Sequence, residues 1–398
     1  VTSILSKPSS GPEAREKVFF PGLNALRFFA ALCVIISHIE LIKGSFGFKH
    51  YWNNVLIFNL GGLGVYFFFV LSGFLITFLL LKEKEQAGAI RIRQFYLRRI
   101  LRIWPLYYAI CILGFFILPY FKAIAIPYLR EDFQAHFGTN LVLYLLILPN
   151  LAFSLYQAVP HIGQTWSIGV EEQFYLGWPW LIAKAKNVFR SLLIVIGLIV
   201  LLKVLVLLLG NFFGGQDWYP VLKRFVAMSK FECMAIGGIG AYFLYTKNEK
   251  ILRYMCDGRL FWLSLLGIPL LIYFTPAKIQ DSIHLVYSVL FLIIIMYISG
   301  NTRIAGRLET RYFSYLGKIS YGIYMYHFII IPIVMYLYNR SGLELGELSC
   351  NLILYTAITG LTILVSGLSY ALFEERFIRL KDRFTVIRSG MTAGEKER

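Results

Sequence analysis

The sequence predicts an all-α fold: a polytopic integral membrane protein of about ten transmembrane helices, with one re-entrant or short helix at 139–157. Three observations predict it. Of the 398 residues, 58% are hydrophobic, 17% aromatic and only 15% charged, with a mean hydropathy of +0.65. Apolar runs of about 18 residues or more, long enough to cross a bilayer, recur along the whole length. The basic residues behind the net charge of +17 fall in short loops between those runs. That distribution is the signature of membrane topology, so membrane lipids are the expected surroundings and no nucleic-acid partner is expected.

In chain order, residues 1–20 are polar and read as a disordered cytoplasmic tail. The first span covers about 21–42, the second about 60–81 and the third about 100–120, which is entered through the most basic internal loop, 82–99. Residues 139–157 are apolar but short and broken by Pro149-Asn150. If they crossed, the basic stretch 184–190 would lie opposite the loop 82–99. If they dip and return, every strongly basic loop shares one side, so they are taken as re-entrant or surface-lying. Further spans are expected at about 165–183, 189–210, 226–246, 259–275, 282–299, 315–338 and 349–373. The transmembrane domain is thus 21–375, followed by a basic cytoplasmic tail, 376–398. One side then carries 26 Lys and Arg residues against eight on the other, which puts both termini in the cytoplasm. No cleavable signal peptide and no repeat is evident. The five cysteines have no metal-type or disulfide spacing, so no metal site is expected.

The chemistry concentrates in four stretches. Pro21 to Lys43 is a long apolar run holding Arg27 and His38. Eleven residues on a helix are about 1100° of turn, within roughly 20° of three rotations, so both project from one face about 16 Å apart. Intramembrane ionisable groups mark functional sites, although Arg27 near one end could instead snorkel to the headgroups. Arg99 and Arg102 lie one turn apart at the start of the third span. They suit bidentate phosphate binding, or equally an ordinary cytoplasmic basic cluster. In the span at 165–183, Trp166, Glu171, Glu172, Tyr175 and Trp178 form a polar and aromatic surface able to hold a sugar, with helix capping as the plainer role for the acids. Glu171 is deep enough to pair with His38 or Arg27. Ser320, Tyr324 and His327 share one face of the ninth span, where His327 is either a catalytic or a satisfied core histidine. A histidine near its reference pKa can serve as general base. Group transfer across a membrane and transport of an anionic substrate both fit these residues.

The blocks LNALRFFAALCVIISH, GVYFFFVLSGFLIT, RRILRIWPLYY, TWSIGVEEQFYLGWPW and SYGIYMYH, in that order, resemble the integral-membrane acyltransferase family 3. These are O-acyltransferases of surface polysaccharides, peptidoglycan, lipid-linked sugars and some antibiotics. The resemblance runs over about residues 20–375. It implies His38 as catalytic residue paired with Arg27, Arg99 and Arg102 as holders of acyl-CoA, Glu171 as the acidic position, and His327 as the histidine of the Ser-Tyr block. It also implies a donor, acyl-CoA and in particular acetyl-CoA, used as co-substrate with no tightly bound cofactor. The chain departs from many members at Asn24 and Tyr66, where they carry Asp, and the C-terminal esterase-like domain that some members carry is not expected here. The expectation is therefore a stand-alone enzyme of the bacterial inner membrane, alone or with a separate glycan-processing partner. It would move an acetyl group from cytoplasmic acetyl-CoA to a saccharide or lipid-linked glycan acceptor. Catalysis would rest on His38, Arg27 and Glu171, and acceptor contacts on Trp166, Glu172, Tyr175, Tyr324 and His327. The alternative is a glycolipid or anionic-substrate transporter or flippase using the same polar path.

Overall fold

Helices α1 (Leu23–Lys43), α2 (Val55–Ala87) and α3 (Ile92–Ile112) open the computed structural model, which describes residues 17–276, 282–385 and 387–389. Of the expected tails, residues 1–16 and 390–398 lie outside the described residues. After α3 come the short helices α4 (Pro127–Ala135), α5 (Phe137–Leu145) and α6 (Pro149–Leu155), then α7 (Trp166–Lys184) and α8 (Val188–Phe213). The chain continues through α9 (Trp218–Met228), α10 (Phe231–Tyr245), α11 (Glu249–Met255), α12 (Gly258–Phe274) and α13 (His284–Gly300). It ends with α14 (Thr302–Leu308), α15 (Arg311–Lys318), α16 (Ser320–Ser341), α17 (Glu347–Ser369) and α18 (Glu375–Lys381). A two-residue parallel pairing of Lys17–Val18 with Arg388–Ser389 is the only strand pairing among the described residues.

Six of these stretches are long and apolar enough to cross a membrane, or eight if the bent pairs α11–α12 and α13–α14 are each one span. The expected ten would also need α7 and α10. Glu171, Glu172 and Lys184 lower the apolarity of α7, and α10 has only 15 residues. The segment 139–157 forms two helices of nine and seven residues, parted at Ile147, which has a φ of 58°. At about 1.5 Å per residue neither approaches the roughly 30 Å of a bilayer core.

Helix α2 is the centre of the bundle, packed against α1, α7, α10 and α13. Contacts along it fix the directions of its neighbours. Tyr66 meets Lys230 and Lys82 meets Tyr245, so α10 runs parallel to α2. Ser72 meets Glu171 and Lys84 meets the carbonyl of Ala183, so α7 does too. Helix α1 runs against α2, with Gly61 on Ser37 and Gly64 on Ala30. The crossing of α2 and α10 depends on glycine. A Cβ on Gly73 would collide with the Met234 carbonyl, and one on Gly237 with the Val70 carbonyl, so the two backbones touch as small-residue helix pairs in membranes do. Gly237→Ala is expected to push the helices apart and cost roughly 1–3 kcal/mol, read as a lower midpoint of thermal unfolding in detergent. An unchanged midpoint would mean the crossing relaxes freely.

The start of α1 shows how distant chain supplies what local sequence lacks. Its first turn has no acidic residue and no side-chain cap, leaving N–H groups that need an acceptor. Glu309, 287 positions along the chain from Gly22, fills that role by accepting from the Gly22 N–H at 2.7 Å. Gly22 itself has a φ of 82°, a conformation glycine adopts freely.

Candidate functional site

Helices α1 and α16 run parallel: Asn24 lies beside Gly317, just before α16, at one end, and Asn339 donates to the carbonyl of Phe46, just past α1, at the other. Between those ends the two intramembrane histidines meet. The rings of His38 and His327 meet edge to edge, with centroids 5.0 Å apart and only 7° between their planes, and Nδ1 of His38 lies 2.8 Å from Nε2 of His327. Nδ1 of His327 lies 2.6 Å from the backbone carbonyl of Tyr324. A carbonyl oxygen has no proton to give, so the proton on that bond belongs to His327 Nδ1. In neutral His327, Nε2 is then the acceptor, and His38 Nδ1–H donates to it. The remaining nitrogen, Nε2 of His38, keeps a free lone pair, and no described residue hydrogen-bonds it. His327 is fully buried while His38 is only partly so. Phe328 stands edge-on to His38 at 4.9 Å and fixes its ring from a further side.

The dyad is held by the segment before α7. The Tyr324 hydroxyl donates to the Gln164 carbonyl at 2.9 Å and meets Ser167 Oγ at 2.8 Å. The Gln164 amide returns the contact by donating to the Met325 carbonyl at 2.7 Å. Tyr324 thus holds His327 twice, through its carbonyl and through the anchoring of its ring.

Arg27 belongs to a different station. Its Nη1 donates to Asn24 Oδ1 at 3.1 Å, and the charges within its reach are Arg99, Arg102 and Glu309. Helix α1 is unbroken between Arg27 and His38, so the axial separation of roughly 16 Å stands. Arg99 lies over the rings of Phe95 and Tyr175 at 5.5 and 5.6 Å, and its buried Nε has no hydrogen-bond partner. Among the described residues no carboxylate lies within salt-bridge distance of Arg27, Arg99 or Arg102.

Glu171 sits at this arginine station and has no contact with His38. It accepts from Ser72 Oγ at 2.9 Å and from the Tyr175 hydroxyl at 3.0 Å, with Arg99 and Arg102 nearby. The hydrogen-bond partner of His38 is His327, and the described partners of Glu171 are Ser72 and Tyr175. Glu172 accepts from the Trp104 indole at 3.0 Å, and its other oxygen is unpartnered. Trp166 packs edge-on against Phe69. Asn24, one of the two departures expected from the resemblance, accepts from Arg27. Tyr66, the other departure, faces His284 and Lys230 on a different side of α2. Sequence reasoning missed Ser72, Trp104, Glu309 and Gln164, all polar partners brought in from elsewhere in the chain.

A second buried polar cluster lies away from both stations. Glu232 Oε1 accepts from His284 Nε2 at 2.5 Å and from Lys203, with Cys233 alongside. Three donor atoms of Glu232, Cys233 and His284 lie within 4.8 Å of one another. The one oxygen shared by an ammonium and an imidazole marks an ion pair tying α8 and α13 to α10 rather than a cation site.

A bundle of long apolar helices enclosing a histidine dyad and an arginine cluster defines a membrane protein equipped for polar chemistry. Residues 20–371 match the Acyl_transf_3 family, described as an acyltransferase domain, and the chain belongs to that family. It is 26% identical over 388 residues to a Staphylococcus aureus (strain COL) protein named "Putative O-acetyltransferase", covering 94% of this chain and 59% of that one. It is 25% identical over 372 residues to O-acetyltransferase OatA of Staphylococcus aureus (strain NCTC 8325 / PS 47), covering 89% of this chain and 57% of that one. The chain therefore spans somewhat under three fifths of the length of these curated relatives. No solved structure matches it.

Proposed function

We propose that this chain is a membrane O-acetyltransferase that moves an acyl group from cytoplasmic acetyl-CoA to a hydroxyl of a saccharide or lipid-linked glycan. The observation that carries this reading is the hydrogen-bonded series Tyr324 carbonyl, His327, His38, which leaves His38 Nε2 as a bare base. The acceptor hydroxyl gives its proton to that nitrogen as its oxygen attacks the thioester carbon. The carbon–sulfur bond breaks, an ester forms, and the thiolate leaving group takes the proton back from His38. His327 stays neutral and stabilises the transient imidazolium by accepting from its Nδ1–H. Arg99, Arg102 and Arg27 hold the phosphates of the donor. The distance of Arg27 from His38 suits this anchoring better than polarisation of the thioester carbonyl.

Ten crossings, with both termini in the cytoplasm of a bacterial inner membrane, fit the helix directions. Three long helices, α3, α7 and α8, lie between α2 and α10, and three crossings return the chain to the direction of α2. A crossing at 139–157 would make α10 antiparallel instead. A shared cytoplasmic side for the loop 82–99 and the two ends of the described chain is supported by two contacts: Arg98 donates to the Phe384 carbonyl, and the strand pair joins residues 17–18 to 388–389.

The test is thiol release from acetyl-CoA by the purified protein, with an added glycoside acceptor, for the wild type and for His327→Phe. The phenylalanine keeps an aromatic ring at that position but removes the acceptor for His38 Nδ1–H. The expected loss is about 10- to 100-fold in kcat, the size seen for groups that orient a working side chain, with KM for acetyl-CoA little changed. Thiol release unaffected by His327→Phe would contradict the dyad. An absence of CoA binding by the wild type would favour transport.

A further inference from the structure

The chain beyond α17 does not trail away from the bundle. Helix α18 packs against α3. Just past it, the Phe384 carbonyl accepts from Arg98 Nη1 at 2.9 Å, while Arg98 Nη2 is paired with Glu83 at 2.8 Å. This clamp places the end of α18 over the turn that carries Arg99 and Arg102. The last residue of α18, Lys381, keeps only 17% of its side chain exposed. The charges within its reach are Arg98, Arg99, Arg102 and its neighbour Asp382, whose nearest oxygen is 3.9 Å away.

The fold thus gathers four cations, Arg27, Arg99, Arg102 and Lys381, from three separate parts of the chain. Glu171, Glu172 and Glu374 face the same region, but their oxygens accept from Ser72, Tyr175, Trp104 and Ser369 rather than from the arginines. Like charges held together and partly out of water are costly unless an anion joins them. The unpartnered, buried Nε of Arg99 points the same way.

We propose that α18 is a wall of the donor site and that Lys381 contacts a phosphoryl group of the donor, which rests on the donor reading given above. A compact ammonium supplies a point charge to a phosphate beside the planar forks of the arginines. The same phosphoryl chemistry occurs in anionic lipid headgroups, so the experiment separates the two sources.

CoA and pantetheine, which lacks phosphates, are titrated into the full chain in detergent for the wild type, Lys381→Gln and Arg379→Gln. Arg379 lies on the same helix, exposed and paired with Glu375, and controls for the loss of one charge. Lys381→Gln is expected to weaken CoA about tenfold, the worth of one charge-assisted contact, with pantetheine unchanged. Arg379→Gln is expected to change CoA affinity less than about twofold. Acetic anhydride labelling of the wild type, read by peptide mass spectrometry, gives the same answer without a variant: CoA protects Lys381 and pantetheine does not. Equal CoA affinity in Lys381→Gln, no protection by CoA, or protection by phosphatidylglycerol vesicles alone would each overturn the proposal. Failure of the wild type to bind CoA at all would overturn the donor reading beneath it.

Discussion

His38→Gln is expected to lower acyl transfer by about 10²- to 10⁴-fold, the span attributed to a positioned general base, while leaving CoA affinity unchanged. Glutamine is the informative replacement. Its amide N–H can still donate to His327 Nε2, so the contact between α1 and α16 survives, yet it offers no nitrogen able to take a proton. The loss then reports the lone pair on His38 Nε2 and not a collapse of the helix pair. Single-turnover release of thiol, beside formation of acetylated acceptor, measures it. Transfer within about tenfold of the wild type would show that His38 is not the base. Combined with His327→Phe, the losses should be far from additive, because a partner that orients an absent base has nothing left to orient.

Helix positions were legible in the sequence because hydropathy, loop charge and length all report on one variable, the exposure of backbone to lipid. Arg27, His38, Arg99, Arg102, Glu171 and His327 stood out for the related reason that ionisable groups are rare in apolar runs. Which of them meet was not legible. His38 and His327 are 289 positions apart, and helical spacing says only which face each occupies. Depth alone made Glu171 a plausible partner for His38, but the angular position of α7 around α2 turns that carboxylate toward Ser72 and Tyr175. That angle is set by packing, such as Gly169 against Pro149 and Asn150, not by any local pattern. The cap on α1 by Glu309 and the approach of Lys381 to Arg99 are of the same kind. Each is a pairing of a residue that looks ordinary in its own stretch with a need that arises in another.

Glu40→Ala is expected to destabilise the protein by about 3–5 kcal/mol, the cost of removing one member of a buried ion pair. Glu40 and Lys43 are fully buried one turn apart, with Nζ and Oε1 at 2.5 Å. The carboxylate also accepts from the Tyr51 N–H and the Tyr355 hydroxyl, each at 2.5 Å, and Lys43 donates to Asn351 at 2.7 Å. Deleting Glu40 leaves an ammonium enclosed without a counter-charge and two further donors unpaired. These bonds join the end of α1 to α17 and to the loop before α2, so their loss should also loosen the last turn of α1, two residues after His38. Thermal unfolding in detergent measures the first effect, and the ratio of transfer rate to CoA affinity measures the second. Glu40→Leu with Lys43→Met should recover much of the stability, since an apolar pair of similar volume avoids the desolvation cost of both charges. If the double variant regains stability but not transfer, the network serves to place His38; if both return together, its role is to hold the helix. A loss below about 1 kcal/mol in Glu40→Ala would mean that water reaches Lys43 and that this end of α1 is open.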